Sequence, residues 1–158
     1  MRKTLMFILV TLLTSQAGCL AEGAWVNPKF RPYVEMFEEE FDTDVSDINV
    51  QFGQPANGWA AECRNIWTRP TITVDREMFE RHNGFGRMSI IFHELGHCKF
   101  GLSHAAETFD DGSPVSVMND PAPSDDVMKK DHDYYVDEMH ARIDDPDRTC
   151  PIEFIGIC

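Results

Sequence analysis

His93, Glu94, His97 and His104 are the side chains of this sequence whose types and spacing could do chemistry. They lie in the run His93-Glu94-Leu95-Gly96-His97-Cys98-Lys99-Phe100-Gly101-Leu102-Ser103-His104. Residues four apart share one face of an α-helix, so His93 and His97 can offer two imidazole nitrogens to a single ion. Glu94 stands beside them, where a carboxylate can act as general base without being a ligand. On an unbroken helix His104 would lie about 16 Å along the axis from His93. Nitrogen ligands sit only about 2 Å from zinc, so the helix must end first. Gly101 can adopt the left-handed conformation that stops a helix and turns the chain back. Three neutral imidazoles would then hold Zn2+ and leave a position for water, the arrangement of hydrolytic zinc sites.

The surrounding pattern supplies elements to carry these residues. Ile91, Leu95, Cys98 and Leu102 form a core-facing stripe, which predicts a helix from about Arg87. His93 and His97 fall on another stripe. Cys98 therefore faces the core rather than the ion, and a disulfide to a neighbouring strand is geometrically reasonable. Upstream, Phe30, Tyr33, Phe37 and Phe41 recur at helical spacing from near Pro32, with Glu38, Glu39 and Glu40 making a solvated end. Three strand-like stretches follow: Val45 to Phe52, closed by Gly53-Gln54-Pro55 and Asn57-Gly58; Trp59 to Trp67; and Thr71 to Asp75. Arg76 to His82 reads as a short helix or turn closed by Asn83-Gly84-Phe85-Gly86. Ser124, ahead of Asp125 and Asp126, reads as the N-cap of a last helix running to about Ile143, with Val136, Met139 and Ile143 buried. The tail from Cys150 to Cys158 is apolar enough to dock on the domain. His82, His132 and His140 lie among charged residues and read as surface side chains. Asp110-Asp111-Gly112 lacks the ligand spacing of a calcium loop.

The histidine run resembles the active-site helix of the metzincin metalloproteases, and Ser116-Val117-Met118-Asn119 resembles the methionine turn that follows it in that clan. The resemblance implies a minimal α+β zincin domain: a small mixed sheet, the active-site helix and a C-terminal helix. It also implies His93, His97 and His104 as zinc ligands, Glu94 as the catalytic base, Met118 as a structural floor beneath the metal, and a protein or peptide substrate. One departure is visible. Three residues, not two, separate His97 from Gly101, and Ser103 occupies the usual third-ligand position. The third ligand is thus His104 or, failing it, Asp110 or Asp111. No second oxyanion donor is assigned, and Tyr134 and Tyr135 carry no role.

Arg2 and Lys3 precede an apolar run from Thr4 to Thr14 that is too short to span a bilayer, the form of an export signal over residues 1–18. Ala17-Gly18-Cys19 resembles the lipobox of bacterial lipoproteins, with Gln16 departing from the usual aliphatic residue; ordinary cleavage near Ala21 is the alternative. The resemblance implies acylation of Cys19, a tether over 19–27 and a metallopeptidase domain over 28–158, anchored in the bacterial cell envelope by lipid alone or secreted. Cys63, Cys98, Cys150 and Cys158 fit two disulfides in an oxidising compartment, guessed as Cys63 with Cys98 and Cys150 with Cys158. The formal net charge of -13 disfavours nucleic acid as a partner, because phosphate binding needs a basic surface. A monomer is expected. Two other readings stand beside the peptidase: a non-catalytic metal- or partner-binding lipoprotein on a zincin scaffold, and a three-histidine nuclease. Glu94 weighs against both.

Overall fold

The aromatic residues at helical spacing build the first helix and the floor on which the others rest. In the computed structural model, which describes residues 23–66 and 69–145, α1 spans Arg31–Glu40. Phe37 is buried on its inner face, and Phe30 and Phe41, which flank its two ends, are buried with it. Phe37 meets Phe92 edge-on with ring centroids 5.2 Å apart. Each such ring, fully buried, contributes roughly 1.5–3 kcal/mol through the apolar surface removed from water.

Three strands form a mixed sheet: β1 (Asn49–Gly53), β2 (Ala61–Ile66) and β3 (Arg69–Asp75), in the order β1-β3-β2. β3 is central, parallel to β1 and antiparallel to β2. Ile72 and Val74 alternate onto its buried face. Pro70, which cannot donate to a ladder, precedes the first residue paired with β1, so its missing N–H breaks nothing there. Asn57 and Gly58 both take positive φ in the connection to β2, as the Asn-Gly signal requires. Residues 24–27, within the expected tether, are stitched to β1: Val26 bridges Val50, and the Asn27 N–H donates to the Val50 carbonyl. The folded part thus reaches back before residue 28.

After α2 (Arg76–Arg81), the site helix α3 spans Gly84–Phe100, starting three residues earlier than the periodicity predicts. The run Asn83-Gly84-Phe85-Gly86 opens α3 instead of closing the preceding helix. Its start is held by polar caps that a hydrophobic pattern does not register. Asn83 accepts from the Phe85 N–H, and Asp125 Oδ1 accepts from the Asn83 and Gly86 N–H groups. Asp125 Oδ2 pairs with His82 Nδ1 at 2.8 Å, so His82 is tied into this cap and is not a free surface side chain. A β-carbon at Gly86 would stand 2.5 Å from Asp125 Oδ1; the cap needs glycine there.

The expected last helix is two: α4 (Asp125–Lys130) and α5 (His132–Asp144), separated where Asp131 leaves helical geometry. Aspartate competes for backbone groups and favours helix ends. Ser124 precedes α4 but caps no N–H with its side chain. Val136 and Met139 are buried on α5 as expected, joined by Tyr135 and by a buried Glu138–Arg142 ion pair. The disulfide Cys63–Cys98 joins β2 to α3. Residues 1–18, Cys19, Cys150 and Cys158 lie outside the described residues.

Asp125→Ala should remove the cap of α3 and cost about 1–2 kcal/mol. Thermal unfolding would then show Tm lower by several degrees; an unchanged Tm would contradict the cap.

Candidate metal centre

The two histidines one turn apart on α3 present their Nε2 atoms to each other at 3.0 Å. His104 Nε2 approaches His93 Nε2 to 3.2 Å. These three are, among the described residues, the one group of His, Cys, Asp or Glu side chains close enough to share an ion. Asp110 and Asp111, the alternatives for the third position, stay outside it; both are exposed, and Asp111 accepts from Ser113 in its own loop. Ser103 is exposed.

Gly101 ends α3 with φ 67° and ψ 22°, as the bend requires. The added residue before it is absorbed in a wide exit turn: the Gly101 N–H returns to the His97 carbonyl, and the Leu102 N–H reaches back six residues to Gly96. The Ala105 N–H then donates to the Met118 carbonyl at 2.9 Å, which pins the residue after His104 to the 116–119 turn. His104 is exposed, His97 half-buried and His93 buried, so the cluster opens to solvent on the His104 side.

Outer partners set the protonation of the rings. His93 Nδ1 lies 2.8 Å from the Val117 carbonyl and His97 Nδ1 2.6 Å from the Leu102 carbonyl. Each Nδ1 therefore donates, and in a neutral ring Nε2 is left as a bare lone pair. Both rings are held neutral: burial pushes the His93 pKa down to about 4 and lowers that of His97, with their imidazole neighbours adding to the effect. Lone pairs facing each other at 3.0 Å repel; a shared cation removes the repulsion. Three nitrogens about 2 Å from one tetrahedral ion stand about 3.3 Å apart, close to the two distances found. The donor set could hold a metal ion.

Glu94 is buried, and desolvation raises its pKa to about 7, with the charges of Glu62 and Asp120 acting in the same direction and the Cys63 backbone amide opposing them. Met118, fully buried, lies against α3 at Gly96, where a β-carbon would stand 2.6 Å from its sulfur and 2.9 Å from Met139 Cε. Gly96 thus lets two methionines pack closely against the helix. No local pattern in the sequence marks it out. The turn itself is closed by side chains: Met118 N–H donates to Ser116 Oγ, and Asn119 Oδ1 accepts from the Ser116 N–H. The Tyr134 and Tyr135 hydroxyls donate to the Val115 and Pro114 carbonyls and fasten the preceding loop to α5.

Compared with protein-family models, curated proteins and solved structures, the chain matches none.

His104→Ala should weaken binding of a divalent metal ion by more than the 10–100-fold typical of losing an outer-shell partner, while Asp111→Ala leaves it unchanged. Competition with a chromogenic chelator reads both, and equal losses would exclude His104. A second expectation concerns pH in the metal-free protein. The stability tied to His93, whose pKa falls from 6.5 to about 4, is present above pH 6.5 and lost as pH drops toward 4. That tied to Glu94, raised from 4.5 to about 7, runs oppositely: present below pH 4.5 and lost as pH rises through 7. The two slopes offset each other in wild type. Glu94→Gln should therefore melt more steeply with falling pH between 6.5 and 4.5, in melts with chelator present; parallel curves would contradict the opposition.

Proposed function

We propose that this protein is a zinc-dependent endopeptidase of metzincin type, exported and acting on protein or peptide substrates. The observation that carries the reading is the convergence of three imidazole nitrogens on one place, on a helix whose next residue after the first of them is a buried glutamate, Glu94. Nitrogen donors suit zinc, copper, nickel and iron. Three histidines with one open side and an adjacent glutamate favour zinc in a hydrolytic role. Zinc bound there supplies Lewis acidity toward water and toward a scissile carbonyl.

The remaining work falls to the chain. Glu94, with its pKa near neutrality, can take a proton from attacking water and return it to the leaving amine. The Val117 and Leu102 carbonyls hold the imidazoles in the tautomer that presents Nε2. A cavity of about 510 Å³ lies beside the methionine-bearing turn, with walls from Ala105, Ala106, Pro114, Asn119, Asp120 and Pro121, and offers room for a substrate side chain. The disulfide supports an oxidising compartment, in keeping with export and with an envelope location through Cys19.

Purified protein should carry about one zinc per chain and degrade an unfolded protein substrate in a chelator-sensitive way. Glu94→Ala should keep the zinc and lose activity by at least about a hundredfold; His93→Ala should lose both. Zinc-loaded wild type that cleaves no peptide bond would support the non-catalytic binding role instead.

A further inference from the structure

The cavity of about 510 Å³ beside the methionine-bearing turn is walled by small side chains and by two carboxylates. Ala105, Ala106, Gly112 and Ala122 bring little bulk into it, and Asp111 and Asp120 give it charge. None of the described residues on its wall is Lys, Arg or His. Neither aspartate joins any of the ion pairs among the described residues. Lys130, whose charge reaches Asp111, is itself paired with Asp131 at 3.2 Å. A concave surface lined by charge of one sign focuses its field into the space it encloses. This space adjoins the histidine cluster, because Ala105 on its wall is the residue after His104.

Both carboxylates stand on fastened backbone. Asp111 lies at the tip of a hairpin closed by the Thr108–Pro114 bridge and by the Phe109 N–H, which donates to the Ser113 carbonyl at 2.9 Å. Gly112 supplies the positive φ of 81° that this tight turn needs. Asp111 Oδ1 accepts from the Ser113 N–H and from its hydroxyl, which fixes the direction of the carboxylate. The Tyr135 hydroxyl holds the end of the hairpin at the Pro114 carbonyl. Asp120 follows Asn119, which bridges Ala105 and whose side chain donates to the Glu107 carbonyl.

We propose that this cavity is a specificity pocket for a cationic side chain, lysine or arginine, flanking the bond to be cleaved, with Asp111 and Asp120 as its specificity-determining residues. The proposal rests on the peptidase reading of the histidine cluster and names the substrate class that reading leaves open. An ammonium or guanidinium entering the cavity offsets the two like charges and makes charge-assisted hydrogen bonds to them. Its methylene stem packs along the alanine and proline surfaces of the wall. An acidic side chain meets the same field as a penalty.

The test uses zinc-loaded protein and fluorogenic peptides identical except at one residue beside the cleaved bond, which is Arg, Lys, Gln or Glu. Mass spectrometry of the fragments of an unfolded protein first shows on which side of that bond the variable residue belongs. Wild type should cleave the Arg and Lys peptides with kcat/KM roughly a hundredfold above that of the Glu peptide. The preference should shrink as ionic strength rises. In the double variant Asp111→Asn/Asp120→Asn the ratio should fall to within about fivefold, with zinc per chain as in wild type. Asparagine Oδ1 can still accept from Ser113, so the hairpin is kept. If the double variant does not fold, Asp120→Asn alone decides by the same ratio.

A wild-type preference for acidic or apolar residues on both sides of the bond would overturn the proposal, and so would a ratio undiminished in the variants. Wild type that binds zinc and cleaves none of the peptides would sink the peptidase reading instead. Fluorescence anisotropy of the labelled peptides then judges the pocket separately. Arg and Lys peptides bound about tenfold tighter than the Glu peptide, with the difference lost in the variants, would support it; equal or undetectable binding would overturn it.

Discussion

Two imidazoles whose outer nitrogens are committed to backbone carbonyls must face each other with unshared electron pairs, and much of this molecule is arranged around that constraint. Val117 and Leu102 accept from the Nδ1 atoms, and burial keeps the rings neutral. The Nε2 atoms of His93 and His97 then concentrate electron density at one place, and His104 Nε2 stands beside them. Such an arrangement is unfavourable in isolation and becomes favourable with a cation. Its persistence depends on the surrounding structure being stiff enough to hold it.

That stiffness comes from several directions. Gly101 turns the chain, and the Ala105–Met118 hydrogen bond keeps it turned. Below the helix, Met118 and Met139 fill the space left by Gly96. At the far end of α3, Asp125 reaches across from α4 to satisfy amides that the first helical turn leaves unpaired. The site helix is thus pinned at both ends and along its underside, while its third side is cross-linked to the sheet. The open side is the one bearing His104.

Glu94 belongs to a different face from the ligands, and this separation is chemically useful. A carboxylate on the ligand stripe would compete for an ion held there; Glu94 is buried and is not among the side chains that converge at the cluster. Desolvation under the strand also brings its pKa to about 7, the range in which a group can both accept and return a proton near neutral pH.

Much of this was legible in the sequence because it depends on local periodicity. The i, i+4 spacing of His93 and His97, the glycine that stops the helix, the inward stripe carrying Cys98 and the short strands all follow from intervals of two or about 3.6 residues. The start of α3 is not legible in that local pattern because its caps come from Asp125, some forty residues away. The break at Asp131 leaves no mark on the hydrophobic pattern, which continues through it. Gly96 is distinguished from any other helical glycine only by Met118 and Met139 packed against it in the fold. Whether His104, one residue beyond its usual spacing, returns to the cluster could not be decided from residues 93–104 alone. That depends on a backbone hydrogen bond between Ala105 and a turn thirteen residues on. Sequence determines which groups are available and on which face of an element they sit; only the folded chain decides which distant carbonyl, side chain or strand each one meets.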